Sequence, residues 1–548
     1  MPAQSSRVKQ ATNALAIVGL VVLAWITWFA LDEQAQATPA VVEGEPPRPR
    51  DVILVTVDTL RADRVGVYSD EESLTPRMDE WAARGTTFMQ ATVPFPRTTP
   101  ALASLMTGLW AHHHGSREVW QKIEHGRRLA QVLEARGYAT LAVSGNSAAG
   151  SKQGLGEGFD KYVNRKDFKL PWSHLLSKKA LQLVDKYAKD KPLFLWVHYF
   201  DPHWEYKTPT DVWDNAPDSP KCKRIMRERK TGKITLSELF QNERGLAEDA
   251  HDDCVAMYED AIAFTDSQIG ALLDGLEKRR GLDDALVIIT ADHGESIGEK
   301  NLWFQHGPSV HDASMKVPLI MAGPGIPPGR RDPGVARLED VMPTVLDLLG
   351  VEREKWPKMD GSELTWRWDP EREQPDDAIP VALIESGTAL RSRMNDYLVS
   401  GRTRERNCIN GPQYSLCREK TGDDWKLYDH DEDPGKTVEL DPADYPDAYT
   451  ELRAATRVWK AENARRRAAR TPRFKLVEYP ELDGTYRREL YDLRADPSET
   501  KDVSELFPDE AAHLEEVLER WAEDAPLFTP SERSEEDLAE LRALGYIQ

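Results

Sequence analysis

Five short runs of contiguous apolar residues punctuate the first two-thirds of the chain. They read DVILVTV from Asp51, YATLAVSGN from Tyr138, PLFLWVHYFD from Pro192, ALVIITADHG from Ala285 and VPLIMAGPG from Val317. Their apolar residues are contiguous rather than alternating, which predicts strands covered on both faces, as in a parallel sheet. Between them lie helical patterns: MDEWAARG (78–85), RRLAQVLEARG (127–137) and the long segment 255–281. Strands alternating with helices predict an α/β fold around a large, mostly parallel sheet.

The flanks differ from this body. Residues 14–31 (ALAIVGLVVLAWITWFAL) carry no charge and are long enough to cross a bilayer as a helix. Arg7 and Lys9 precede the run, and Asp32 and Glu33 follow it. That asymmetry leaves residues 1–13 in the cytoplasm and the body outside, membrane-anchored in a periplasmic or extracellular setting. The alternative is a signal peptide cleaved near Ala35-Gln36-Ala37, giving a secreted protein. Residues 32–50 read as a Pro- and Ala-rich linker, 51–370 as the main domain and 371–548 as a C-terminal subdomain. In the last region a motif recurs, WKLYDHDEDPGKT at 425–437 and RELYDLRADPSET at 488–500. Each copy reads as a strand ending in an Asp-Pro turn, predicting a small antiparallel subdomain. The tail SEEDLAELRALGYIQ reads as a closing amphipathic helix. Residues 205–254, charged and poorly periodic, read as an insertion that is either a lid or a surface excursion.

The net charge of −22 over 548 residues excludes the basic face that non-specific nucleic-acid binding requires. It also means that an anionic ligand must be drawn in by a local positive centre. Four cysteines in an exported body predict two disulfides, Cys222 with Cys254 and Cys408 with Cys417.

Polar residues collect where the apolar runs end: Asp58 after the first, His198 and Asp201 at the end of the third, Asp292-His293 after the fourth. Ligands of open α/β sheets bind at the carboxyl ends of strands. In PRTTPALASLMTG, Pro100 suits the first helical position and Thr99 the N-cap, which puts Thr98 just off the positive end of a helix dipole. A hydroxyl nucleophile needs such activation. Asp58, Asp292, His293 and the Thr98 oxygen make a four-ligand set for a divalent metal, with Zn²⁺ or Mn²⁺ suiting mixed carboxylate and imidazole better than Mg²⁺ or Ca²⁺. Asp201 and His306 are available for a second metal. His203 and His306 are candidates for donating to substrate oxygens or protonating a leaving group.

These segments resemble the sulfatase family of the alkaline-phosphatase superfamily. DVILVTVDTLRADRVGVY is similar to its opening strand, with the metal-binding Asp at Asp58; TTPALASLMTGLWAHHHG resembles its nucleophile segment; VIITADHGESIGE resembles its Asp-His-Gly motif; LYDLRADPSET resembles its C-terminal signature. The resemblance implies a sandwich around a large mixed sheet with a small C-terminal sheet, a metal-dependent hydrolase of sulfate or phosphate mono- or diesters, and an anionic substrate bound through His198 and Asn146. The chain departs from the formylglycine pattern. It has Thr98 at the nucleophile, Leu102 where the family places Arg, and Ser144-Gly145-Asn146 where the family carries a sulfate-gripping Lys. No formylglycine is expected from a threonine. The Thr nucleophile leaves two further readings: a phosphoglycerol- or phosphoethanolamine-type transferase acting on an envelope glycan or lipid, and a catalytically inactive sulfatase-like binding protein.

Overall fold

A computed structural model of the chain describes residues 48–525, apart from positions 70 and 451 and stretches within 169–171, 235–244, 376–380, 386–405, 411–437, 454–464, 481–484 and 524. The apolar segment 14–31, the linker up to residue 47 and the tail 534–548 lie outside the described residues. Among the described residues no helix is long and apolar enough to cross a membrane.

Eight strands form the main sheet: β1 (Asp51–Val57), β2 (Gly85–Thr92), β3 (Ala139–Ser144), β4 (Lys161–Val163), β5 (Leu193–Tyr199), β6 (Ala285–Ala291), β7 (Leu319–Ala322) and β8 (Arg330–Arg337). Their order is β4-β3-β5-β1-β6-β7-β2-β8. All neighbours pair in parallel except β7, which runs antiparallel to both β6 and β2. The sheet is therefore mixed and mostly parallel. All five apolar runs are strands of this sheet. β2 and β8 carry too many polar positions to stand out by composition (GTTFMQAT and RRDPGVAR). Every residue of β1, β3, β5 and β6 is buried, as contiguous apolar runs require.

Helices cover the sheet. α1 (Thr98–Thr107) is buried along its whole length. α2 (Ser173–Tyr187) and α4 (His251–Arg280) pack on each other, and α3 (Pro220–Lys230) lies in the charged insertion. The disulfide Cys222–Cys254 ties α3 to the first turn of α4, as expected from the cysteine spacing. An ion pair of 2.9 Å between Arg229 and Glu205 fastens the insertion's other end.

The C-terminal region holds two antiparallel sheets rather than one. Strands β10 (Arg406–Asn410), β11 (Tyr414–Glu419) and β12 (Trp425–Asp429) form the first, with residues 408 and 417 directly opposite in register. The second has the order β15-β14-β13-β9, from β9 (Ala382–Glu385), β13 (Arg467–Arg470), β14 (Phe474–Pro480) and β15 (Tyr486–Asp492). The two copies of the LYD motif therefore fall in different sheets. Each copy supplies an edge strand, and that local role is what the shared pattern encodes.

The four-stranded sheet is buried on both faces with a period of two. Ile384, Ala468, Val477 and Tyr491 join the apolar core of the main sheet. Their chain neighbours Leu383, Ala469, Leu476 and Leu490 pack instead with Leu514, Leu518 and Trp521 of α5 (Pro508–Glu523).

Candidate active site

The parallel register builds the site. Val57 of β1 stands abreast of Tyr199 of β5 and Ala291 of β6. The next residue of β1 is Asp58 and the next of β6 is Asp292, so the two carboxylates leave the sheet side by side. Both are fully buried. Together with His293 they form a group whose ligating atoms lie within 4.8 Å of one another. The backbone after Asp58 turns sharply: Thr59 has φ +56°, a left-handed conformation unfavourable for a β-branched residue. The turn aims the Thr59 N–H at Asp292 Oδ1, 3.3 Å away, and the Tyr258 hydroxyl donates to the Thr59 carbonyl at 2.6 Å.

Thr98 opens α1 as its first helical residue, two positions earlier than the placement of Pro100 predicts. Pro100 sits within the first turn, where its missing N–H is not needed. Thr99 caps nothing. Its hydroxyl donates to the Ala148 carbonyl at 2.8 Å, tying the helix start to the loop after β3. Thr98 Oγ1 lies 3.4 Å from His293 Nε2. Asn146, on that same loop, donates from Nδ2 to Asp58 Oδ2 at 2.5 Å and stands 3.5 Å from Thr98 Oγ1. Its amide orientation is fixed because Oδ1 accepts the Ala148 N–H at 2.8 Å.

His198 approaches Asp58 from β5, with Nε2 3.5 Å from Oδ2. Trp196 Nε1 donates to Thr56 Oγ1 at 2.9 Å, and Thr56 Oγ1 lies 2.9 Å from His198 Nδ1. With Thr56 donating onward to Nδ1, the imidazole proton sits on Nε2, facing the carboxylate. The His306 ring centroid lies 4.2 Å from that of His293 and 5.2 Å from that of His203. Asp201 stands outside this cluster. Its Oδ2 accepts the Ser173 N–H at 2.6 Å at the start of α2, and it is not part of the Asp58, Asp292 and His293 group. Burial holds the Asp201 carboxyl up at about 7.

Two residues missed in the sequence support the cluster. Thr56 is one; the other is Glu295, fully buried, with Oε1 3.4 Å from His306 Nδ1. Its position three residues after Asp292 in ADHGE was the available signal. Gly294 between them is required by crowding, since a Cβ there would lie 2.2 Å from the Ala313 carbonyl oxygen.

The electrostatics are those of a fully buried cluster of carboxylates and imidazoles. Burial drives Asp58 upward, but the charge of His203, the hydrogen bond and charge of His198 and the charge of His293 outweigh it and hold the carboxyl at about 2. Burial, then the charge of Asp58, pushes Asp292 far above the usual carboxylate range. Burial keeps His203, His293 and His306 below the ordinary imidazole value, so all three are neutral near pH 7. Asp58 Oδ1 and Asp292 Oδ2 are buried without a hydrogen-bond partner. Two such oxygens beside a neutral imidazole fit the donor set of a divalent cation.

A mixed, mostly parallel sheet with acidic and imidazole groups at its strand ends places the chain among α/β proteins with a strand-end polar centre. Comparison with known proteins narrows this. The family model described as Sulfatase matches residues 50–351, more than half of the chain. Choline-sulfatase of Rhizobium meliloti (strain 1021) is 31% identical over 219 residues, covering 38% of this chain and 42% of that relative. The chain thus matches less than half the length of that curated relative. Among solved structures, BT4656 in complex with its substrate D-glucosamine-2-N,6-O-disulfate superposes with a TM-score of 0.58 at 18% identity, over 87% of this chain and 98% of that one. The phosphonate monoester hydrolase of Agrobacterium radiobacter gives 0.55 at 19% identity, over 91% and 96%. The chain belongs to the sulfatase family.

Proposed function

We propose that the chain is a metal-dependent hydrolase of anionic esters, sulfate or phosphate, with Thr98 as nucleophile. The observation that carries this reading is the position of Thr98: first in α1, buried, 3.4 Å from His293 Nε2 and beside the paired carboxylates. Family membership supports ester hydrolysis. A divalent cation held by Asp58, Asp292 and His293 would lower the pKa of the Thr98 hydroxyl and offset the charge of the ester.

The chain's own groups do the rest. Thr98 Oγ forms a bond to sulfur or phosphorus as the bond to the leaving oxygen breaks. The Thr98 proton passes to the His203 and His306 side of the pocket and from there to the leaving oxygen; water then adds its hydroxyl to the sulfur or phosphorus and gives a proton back to Thr98 Oγ as the covalent ester breaks. Asn146 Nδ2 steadies Asp58 and is within reach of the reacting oxygens. His198 holds the far side of Asp58. Hydrolysis rather than transfer is the reading adopted. The disulfide Cys222–Cys254 supports placing the body outside the cytoplasm.

Metal analysis, followed by assays on aryl sulfates and aryl phosphate mono- and diesters, tests this. Thr98→Ala is expected to lower kcat by about 10³-fold or more with metal content unchanged. Unaltered turnover in that variant would remove the nucleophile.

A further inference from the structure

We infer that Arg97 is the cation that grips the anionic group of the substrate, doing so from a position outside the family's usual pattern. The inference rests on the ester-hydrolase reading above and adds a binding residue to it. Arginines in this acidic chain are generally taken up by carboxylates: Arg61 by Asp63 and Glu299, Arg280 by Asp51, Arg337 by Asp340, Arg470 by Asp312. Arg97 is different. Among the described residues it has no ion pair and no side-chain hydrogen bond, and its Nε is buried without a partner. Leaving a guanidinium nitrogen desolvated and unpaired is costly unless an anion meets it.

Its place in the site is defined by contacts on both sides. Arg97 immediately precedes Thr98 and is the N-cap of α1, so its backbone leads directly to the reacting hydroxyl. Its guanidinium lies against Gly307, where a Cβ would stand 2.7 Å from Arg97 Cζ. Gly307 has φ +104° and follows His306, whose ring is 4.2 Å from that of His293. The guanidinium is therefore held on the His306 side of the acidic cluster, and only a residue without a side chain at 307 leaves it room.

The need for such a group is written in the same segment. The family's Arg position in the nucleophile helix is Leu102, fully buried, and the Lys position is occupied by the loop of Asn146. Neither position supplies a cation to a tetrahedral anion entering beside Thr98. Arg97 offers a planar fork of donors, which suits two oxygens of a sulfate or phosphate group.

The test uses the full chain as isolated and two probes, inorganic sulfate and inorganic phosphate, with affinity read by calorimetry and by inhibition of aryl ester turnover. Arg97→Met is expected to weaken binding of the preferred anion by about tenfold or more and to lower kcat/KM by about 10²-fold, as loss of a charge-assisted bidentate contact implies. Arg97→Lys, which keeps the charge without the fork, is expected to fall between the two. Thr98→Ala is expected to bind the anion as the unaltered protein does while losing turnover, so failure of the nucleophile assignment and failure of this one are read separately. Anion affinity within twofold of the original in Arg97→Met, with metal content and thermal unfolding preserved, overturns the inference. Should Arg97→Met not fold, the same result in Arg97→Lys, with kcat/KM also unchanged, overturns it.

Discussion

Two groups of buried carboxylates in this molecule meet opposite fates. At the edge between the main body and the four-stranded C-terminal sheet, Asp312 is held by Arg470 at 2.8 Å and by Lys475 at 2.9 Å, and Lys475 also pairs with Glu499 at 3.0 Å. His311 lies 3.1 Å from Glu499. Both carboxyls are held ionised: burial pushes them up, but the neighbouring cations outweigh it, so Glu499 falls to about 2 and Asp312 lies well below the usual range. At the strand ends, Asp58 and Asp292 are just as buried; the neighbouring histidines outweigh burial for Asp58 and hold it at about 2, but burial with the charge of Asp58 forces Asp292 upward. The first group is balanced from within the chain and serves architecture. The second is balanced unevenly and leaves Asp58 Oδ1 and Asp292 Oδ2 buried without hydrogen-bond partners, which is what a metal would exploit.

The contrast can be broken at either end. The largest effect belongs to the unbalanced group. Asp58→Ala is expected to lower kcat/KM by about 10³-fold or more and to abolish metal retention, measured by elemental analysis after gel filtration. The equivalent injury to the balanced group is structural. Lys475→Met leaves Asp312 and Glu499 short of a counter-ion and is expected to cost about 3–5 kcal/mol in denaturant unfolding, with metal still bound before the transition. Acid titration sharpens the difference. The unfolded chain protonates a glutamate near 4.5, whereas folded Glu499 holds out to about 2. Its contribution is therefore complete above about 4.5 and is lost as pH falls through that window. Asp292 has the reverse sign in metal-free protein. Its folded pKa is raised, so its presence lowers stability as pH climbs above the ordinary carboxylate value. Asp292→Asn is accordingly expected to stabilise metal-free protein at pH 8 by about 1–2 kcal/mol while destroying the response of thermal unfolding to added metal. A loss of stability there would erase the distinction between the two groups.

Much of this was legible in the residues. The contiguous apolar runs gave five of the eight strands, because a strand covered on both faces has no polar alternation to confuse it. β2 and β8 escaped because their polar residues, among them Thr86 and Asp332, find partners that composition does not reveal. The central cluster was legible because Asp58 and Asp292-His293 end their strands at once, and parallel register then brings them together without further information. Asp201 also ends a strand, but it spends its oxygens on a helix start; which of two strand-end aspartates faces a cap and which a cavity is settled by packing alone. Arg97 was hidden for a related reason. An arginine beside a threonine is ordinary in sequence, and only the absence of a carboxylate partner among the described residues gives it meaning.

The alternation in the four-stranded sheet carries a practical consequence. One side of β9, β13, β14 and β15 closes the interior that begins at β1, and the other side shelters under α5. A fragment ending where the sulfatase match ends, near residue 351, would forfeit the Ile384, Val477 and Tyr491 wall and bare oily surface that has no other cover. Shortened versions are thus expected to clump, and fusions or tags are better tolerated beyond α5 than within the final third. What looks like an accessory in the C-terminal third is one of the walls of the main sheet's core.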